Sequence, residues 1–442
     1  MADSDSMKVD AIVVGGGPAG TTAALTMARE GLSVILVDRG EYAGSKNVGG
    51  LVYGTVLSSI IPDVFSKAPI ERPVSRRKIT YLGAENHIAL DFGSQNWSKP
   101  PFNHTYVVNR SQFDRWYAKQ AEDAGASLLE GMLVEDLIYE GEGPAKRATG
   151  VRLRGGEDLL ADVVILADGA NCLVSNKARD ALGLKRGKHL QDFAVGVKEI
   201  IKLPREKIED RFHLLPHEGA ALDFLGTPFA GVIGGGFIYT AKDTIHLGMA
   251  ARIATLVEAK KSPNELIDAF KNHPVVRKYL EGGELLEYSA HMLPEGGYDA
   301  IGDITGNGVM IVGDAAGLLN MSLYKEGTNH AMESGLEAAK AAIEAKKKGD
   351  FSASALAGYE KALRGGIAIE DLKKYADLPD ILANSPGLMT TYPEKTAQML
   401  VDFFTVTRER KADIQKKAIK RFLNGLPKWQ FIKDLLKARK LI

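Results

Sequence analysis

The stretch DAIVVGGGPAGTTAALTMAREGLSVILVDRG, Asp10 to Gly40, decides the fold. Val9 to Val14 is a short apolar run, largely β-branched, and predicts a strand buried on both faces, as in a parallel sheet. Gly15, Gly17 and Gly20 follow at once. The first allows a tight turn, the second lets the backbone approach a pyrophosphate, and the third lets helix and strand pack closely. Small residues from Ala19 to Glu30 predict a helix. Its free N–H groups and dipole would favour an anion at its N-terminus. A second strand, Ser33 to Val37, ends in Asp38, an acid placed to accept hydrogen bonds from ribose hydroxyls. Strand, glycines, helix, strand and acid within about 30 residues point to a dinucleotide, although the motif alone does not separate NAD from FAD.

The 442 residues exceed one simple core and predict two or three lobes. With 45% hydrophobic and 25% charged residues the chain is of ordinary globular composition, and its zero net charge names no partner. Cys172 is the only cysteine, which excludes a disulfide framework and a cysteine-ligated iron–sulfur cluster within the chain. The opening MADSDSMKVD lacks the basic-then-apolar pattern of a secretory signal. No apolar run reaches the roughly eighteen residues of a membrane-spanning helix. These features favour the cytoplasm and leave attachment to a membrane surface open. No internal repeat stands out.

Two later stretches repeat the pattern of an apolar strand ending in an acid. In DVVILADGANCLVSNKA, 162–178, the strand ends in Ala167-Asp168-Gly169. In GVMIVGDAAGLLNMSLYKEGTNHAMESGLEAAKAAI, 308–343, it runs into Gly313-Asp314-Ala315-Ala316, and a helix follows Gly327. Asp314 is placed for the ribityl hydroxyls and the approach to a pyrophosphate; taken alone, Asp168 and Asp314 each read as a cap or turn residue, and it is the three acids in this order that point to a cofactor. The helix after Gly327 would aim its N-terminus at a flavin pyrimidine, where negative charge collects on reduction.

The set GGGPAG, ADG and GDAAG resembles that of the glutathione-reductase-like flavoproteins of the hydroxylase type. That superfamily includes aromatic hydroxylases, geranylgeranyl reductases and electron-transfer flavoprotein:quinone oxidoreductases. The resemblance implies an α/β fold: a Rossmann-type FAD lobe, with a smaller α+β lobe covering the isoalloxazine ring. It implies FAD contacts at Gly15, Gly17, Pro18, Ala19, Gly20, Asp38 and Arg39, then at Lys46, Asn47 and Gly49 in the next loop. Arg110, in VVNRSQFDRWYAKQAEDAGA, matches an arginine that opens a helix near the flavin, and Val134, in GMLVEDL, a backbone position that meets the adenine. Asp168, Gly169, Asp314, Gly327, Thr328 and Asn329 complete the implied set.

Three further stretches resemble one branch, the FixC-type quinone oxidoreductases: RGEYAGSKNVGGLVYG (39–54), GVIGGGFIYTAKDTIHLGM (231–249) and SAHMLPEGGYDAIGDITGNGVMIVGDAAG (289–317). Mitochondrial members carry an iron–sulfur cluster near the C-terminus. This chain has no cysteine there, which fits the FixC-type arrangement with a separate ferredoxin-like iron–sulfur subunit, and fits equally a protein that uses no cluster.

In the second stretch, Gly234 to Gly236 expose backbone and leave room beside a flat ring, and Phe237 and Tyr239 alternate with Ile238 as on a strand. A quinone head needs a flat apolar slot with few polar groups. The residues alone read equally as a strand that bulges at glycines. The resemblance implies quinone contacts at Gly234, Gly235, Phe237 and Tyr239. Lys46 would place positive charge near a reduced flavin, or be a solvated loop lysine. His291 and His330 are candidate proton donors to a quinone, or satisfied structural histidines. No nucleophilic triad and no metal-ligand spacing is evident.

From Val401 to Ile442 there are twelve Lys or Arg against four acids. Leu426, Trp429, Phe431, Ile432, Leu435 and Leu436 predict an apolar helical stripe flanked by lysines. That pattern suits an anionic membrane surface, an acidic protein partner or plain docking on the core. It lacks a nucleic-acid-binding fold, so no nucleic-acid role is expected.

The expected organisation is a discontinuous FAD domain (1–75, 102–190 and 290–345), a quinone domain (76–101 and 191–289) and a helical C-terminal region (346–442). The expected activity is that of the FAD subunit of an electron-transfer flavoprotein:quinone oxidoreductase, peripheral on the cytoplasmic side of the membrane. Electrons would come from electron-transfer flavoprotein α/β subunits, directly or through a ferredoxin-like subunit. They would pass to membrane ubiquinone or menaquinone. Such a chain could belong to an electron-bifurcating complex. A geranylgeranyl-reductase-like enzyme, an aromatic monooxygenase and a non-catalytic FAD scaffold are the alternatives.

Overall fold

The computed structural model describes residues 8–99, 104–187 and 193–441. The opening seven residues and the expected domain edges at 101–102 and 190–191 lie outside the described residues. The chain forms two compact units, each assembled from three segments. Unit 1 comprises 1–71, 102–193 and 292–376; unit 2 comprises 72–101, 194–291 and 377–442. The C-terminal helices are thus divided between the units after Ala376.

Unit 1 is built on a parallel sheet. Strand β1 (Val9–Val14) lies between β2 (Val34–Val37) and β10 (Asp158–Leu166), and β17 (Val309–Ile311) pairs with the far side of β10, all parallel. Strand β7 (Ser127–Leu129) extends the β2 edge in parallel, and β16 (Thr305–Gly306) caps the other edge antiparallel to β17. Strands β8 (Val134–Glu140) and β9 (Arg147–Leu153) form an antiparallel flap continued from β10. Strands β3 (Gly49–Tyr53) and β6 (Thr105–Asn109) pair antiparallel. Ala11, Ile12, Val13 and Leu166 are fully buried, as expected of strands covered on both faces.

Six helices matter here: α1 (Pro18–Arg29), α2 (Arg110–Asp123), α3 (Leu173–Leu182), α4 (Thr328–Lys348), α5 (Ala353–Arg364) and α6 (Ile367–Lys374). Helices α1 and α4 pack face to face because both present small residues. A Cβ on Gly335 of α4 would strike the carbonyl oxygen of Ala19 in α1. A Cβ on Gly20 would strike the carbonyl oxygen of Gly15, so this third glycine of the motif does what its spacing predicts. Thr22 of α1 is tied to Tyr117 of α2 by a buried 2.8 Å hydrogen bond.

Unit 2 holds a mixed sheet in the order β15, β11, β14, β13, β12, β4, β5. These are β4 (Ile70–Leu82), β5 (His87–Gly93), β11 (Phe193–Lys202), β12 (Gly219–Gly226), β13 (Gly234–Thr240), β14 (Thr244–Arg252) and β15 (Glu284–Pro294). Strand β12 runs parallel to β4, and β12–β13–β14–β11 are successively antiparallel. Phe224, Phe229 and Phe270 form the aromatic centre of this core.

Arg72, 1% exposed, locks the sheet. Its Nε donates to Ala241 O at 2.9 Å, its Nη1 to Glu218 O at 2.9 Å and its Nη2 to Glu209 Oε1 at 2.8 Å. Three helices close the unit: α7 (Thr391–Phe404), α8 (Lys411–Leu423) and α9 (Lys428–Ala438). Tyr81 donates to Thr390 O at 2.8 Å beside α7, and Tyr392 of α7 donates to the buried Asp434 of α9 at 2.6 Å. Among the described residues no helix is long and apolar enough to cross a membrane.

His246 on β14 is buried with neither ring nitrogen hydrogen-bonded, and burial, with Lys198 adding to it, pushes its pKa down to about 3. An unfolded histidine titrates near 6.5. Below that pH the unfolded chain takes up a proton that the folded chain refuses, so stability falls as pH drops from about 6.5 towards 3. The slope from this one group is about 1.4 kcal/mol per pH unit. His246→Leu should flatten that part of the curve, read from urea midpoints between pH 7 and pH 5.

Candidate functional site

The turn between β1 and α1 opens on a cavity of about 200 Å³ in unit 1. Gly15, Gly17, Asp38, Arg39, Gly44, Lys46 and Asn47 line one side, and Met132 to Val134 with Asp168 and Gly169 line the other. Asp38 organises it. Gly16 N–H donates to its Oδ2 and Gly40 N–H to its Oδ1, both at 2.7 Å. Burial raises the Asp38 pKa against the pull of those two donors. Each oxygen keeps a lone pair for a further donor such as a ribose hydroxyl. The backbone of Asp38 also fixes the opposite wall, accepting from Met132 N–H at 3.0 Å and donating to Leu129 O at 2.8 Å.

Helix α1 starts with Pro18 at its first turn and no side-chain cap, which leaves the N–H groups of Ala19 and Gly20 without a capping side chain. A Cβ on Gly17 would meet nothing within 4 Å. This uncapped helix end beside an acid-tipped strand forms a cradle whose chemistry fits the adenosine diphosphate half of a dinucleotide.

Arg110 is the first residue of α2, and its Nε and Nη2 both bond Asp114 at 2.7 Å. Burial works against the Arg110 charge, but Asp114 and Asp314 together raise its pKa. Gly49 on β3 pairs with Asn109, next to Arg110. Asp314 falls in the short turn after β17 and, with Arg179, lines a second cavity of about 20 Å³, room for one water. Gly327, Thr328 and Asn329 form the start of α4, again with no side-chain cap. Thr328 Oγ1 reaches Leu51 O at 3.5 Å, and the buried Asn329 Oδ1 has no hydrogen-bond partner. An orphaned buried acceptor at an uncapped helix start fits a bound polar group.

Asp168 lines the cavity, but its carboxylate is spent on protein. It accepts from Val174 N–H at 2.8 Å, Ser175 N–H at 3.1 Å and Ser175 Oγ, capping α3. Gly169, at φ 72°, supplies the turn. Lys46 is exposed and lines the same cavity as Asp38 and Val134. The sequence reading missed Asp114, Met132, Leu133 and Leu173 as walls. Only Asp114 carried a signal, four residues after Arg110 on the same helical face.

In unit 2, Gly234, Gly235, Phe237 and Tyr239 lie on β13. Phe237 and Tyr239 share one face, as their alternation predicts, and stack with ring centres 4.8 Å apart. The glycines are needed for packing: a Cβ on Gly234 would meet Ala250 O at 2.5 Å, on Gly235 Phe224 O at 2.8 Å, and on Gly236 the Phe270 ring at 2.5 Å. The room expected beside Gly236 is therefore filled by Phe270, a correction to the sequence reading. His291 lies near the end of β15 and belongs to unit 2, whereas His330 is buried in α4 of unit 1, where burial lowers its pKa to about 4. The two histidines thus lie in different units.

The C-terminal stripe also needs correction. Helix α9 begins only at Lys428, so Leu426 precedes it and is buried. Phe431 turns inward, its ring edge-on to Tyr392 at 4.8 Å. Trp429, Ile432, Leu435 and Leu436 remain exposed.

Comparisons with known proteins agree with this geometry. The family model described as FAD dependent oxidoreductase matches residues 10–173, the span holding the cradle. The model described as ETF-QO, ubiquinone-binding matches 193–293, and that of the ETF-QO/FixC family C-terminal domain matches 378–442. The chain is 42% identical over 412 residues to the probable electron transfer flavoprotein-quinone oxidoreductase YdiS of Escherichia coli K12, covering 92% of this chain and 93% of that protein. It is 40% identical to Protein FixC of the same strain, covering 93% and 94%. Among solved structures, a geranylgeranyl bacteriochlorophyll reductase-like protein from Thermoplasma acidophilum superposes with a TM-score of 0.70 at 22% identity, over 98% of this chain and 99% of that one, a likeness of fold. The chain belongs to the ETF-QO/FixC family and is an FAD-dependent oxidoreductase of α/β fold.

Proposed function

We propose that this chain takes electrons from an electron-transfer flavoprotein and delivers them to a membrane quinone. The observation that carries the reading is whole-length similarity to YdiS and FixC, with a dinucleotide cradle present in unit 1. When bound, FAD supplies exchange between paired and single electrons. The protein's own residues bind and tune. Asp38 holds the ribose end, the start of α1 the pyrophosphate, and Arg110, Asp314 and the start of α4 the flavin end. Val134 meets the adenine through its backbone. Lys46 adds positive charge on the cavity wall.

Gly234, Gly235, Phe237 and Tyr239 are assigned to the quinone, on a strand within the span matched by the ubiquinone-binding model. His291, in the same span, is assigned as the group that hands a proton to the reduced quinone. Quinone or quinol carries a lipid tail, so the chain must meet a membrane. The end of α7, the turn after it and helices α8 and α9 supply a basic surface studded with Phe404 (81% exposed), Val406 (87%) and Trp429 (79%), suited to an anionic bilayer surface. Peripheral attachment on the cytoplasmic side, and a ferredoxin-like subunit carrying the cluster this chain lacks, complete the proposal.

The test is anaerobic. The FAD-loaded protein is reduced with reduced electron-transfer flavoprotein, then mixed with a short-chain quinone while the flavin spectrum is followed. Rapid reoxidation by quinone and slow reoxidation by oxygen are expected. Indifference to quinone, or fast reaction with oxygen, overturns the reading. His291→Gln should slow the quinone step and shift its pH profile while leaving reduction by the donor unchanged.

A further inference from the structure

Apart from the cradle, three side chains from separate parts of unit 1 converge. Glu326 stands just before α4, His330 in its first turn, and Asp371 on α6. One ligating atom from each lies within 4.8 Å of the others. The spacing of four puts Glu326 and His330 on one side of the helix start. His330 is 1% exposed, and neither ring nitrogen has a hydrogen-bond partner. Its Nε2 faces Glu326 Oε2 across 3.7 Å, too far for a hydrogen bond.

The acids are half-buried, and among the described residues no lysine or arginine forms an ion pair with either. Glu326 is held in place: its backbone exchanges two hydrogen bonds with Asn320, at 2.9 and 3.0 Å, and Asn320 Nδ2 donates to Oε2 at 3.3 Å. A buried imidazole with no hydrogen-bond partner and two half-buried carboxylates facing each other are both unfavourable. One bound cation relieves both. Ligand atoms around a tetrahedral ion with bonds of about 2.0–2.1 Å stand roughly 3.4 Å apart, so the Glu326–His330 gap needs little adjustment.

We propose that Glu326, His330 and Asp371 bind one divalent first-row transition-metal cation, fastening the start of α4 to α6. An imidazole nitrogen suits zinc, the two carboxylates suit manganese as well, and magnesium, which prefers oxygen alone, is excluded. Asn320 acts as the outer partner that orients Glu326. The site has a structural role, holding the helix start that the proposed function assigns to the flavin end.

The experiment uses the full-length, FAD-loaded protein, stripped with a chelator and dialysed against zinc, manganese or magnesium chloride. Elemental analysis should find one equivalent of zinc or manganese and none of magnesium, with a higher melting temperature in the two former salts. Glu326→Gln and Asp371→Asn should each weaken binding roughly tenfold or more, while the stripped variants melt no lower than the stripped parent. His330→Ala serves as a third variant if it folds; the two carboxylate variants suffice without it. Absence of binding by the parent, or undiminished binding by both carboxylate variants, overturns the proposal.

Discussion

Gly15→Ala is expected to empty the protein of FAD and to destabilise it by roughly 3 kcal/mol, the sum of a left-handed backbone penalty of about 1–2 and an overpacking cost of about 1–3 kcal/mol. Gly15 sits at φ 109°, and an added Cβ would strike the carbonyl of Ala167, with its carbon at 2.9 Å. Ala167 follows directly on β10, which is paired to β1 along its length, so the obstacle cannot step aside. Gly17→Ala is the informative contrast. Its backbone is ordinary, φ −75° and ψ 180°, and its Cβ meets nothing. That variant should melt with the parent and still lose FAD affinity, because the methyl projects where the pyrophosphate would lie. Flavin absorbance per protein and thermal melting separate the two outcomes. Equal stability of both variants would contradict the geometry.

Arg72→Met should cost about 3–5 kcal/mol, among the largest effects available to a single change in unit 2. The guanidinium is buried and donates to the carbonyls of Ala241 and Glu218 and to Glu209. Removing it strands buried acceptors, each worth about 1–3 kcal/mol. Arg72→Lys should not rescue, because one ammonium cannot reach acceptors spread around a planar fork. Urea denaturation followed by tryptophan fluorescence measures both. A loss below about 1 kcal/mol would mean the carbonyls find other donors.

The cradle was legible in sequence because its demands are local. Strand period, glycine spacing and the acid at the strand end all fall within one βαβ segment, so Gly15, Gly20 and Asp38 stand where their spacing predicts. What was not legible depends on segments distant in the chain. Asp168, taken alone, reads as a cap or turn residue, and its carboxylate does cap α3; only the resemblance made it an FAD contact, and Ser175, one helical turn on, claims that carboxylate. The glycines of β13 read as room for a ring, but Phe270 comes from a helix, Pro263–Asn272, whose docking no pattern in β13 announces. Glu326, His330 and Asp371 showed no ligand spacing, because the third member arrives from a different helix. The inward turn of Phe431 follows from Tyr392, which precedes it by more than a helix.

The division of unit 1 into three segments has a consequence for synthesis on the ribosome. Strand β1 emerges first, but its neighbour β10 lies some 150 residues later in the chain and β17 a similar distance beyond that. At about 5–20 residues per second the sheet waits roughly 15–60 s for its last parallel strand. For the second half of that interval the outer edge of β10 lacks β17, and the start of α4 does not yet exist. Every residue lining the 200 Å³ cavity has been made by Val174, whereas the start of α4 comes some 150 residues later, so the flavin end is the last part of the site to form. A nascent chain stalled between Pro294 and Val309 would present an open parallel edge, the form most exposed to mispairing and to proteases.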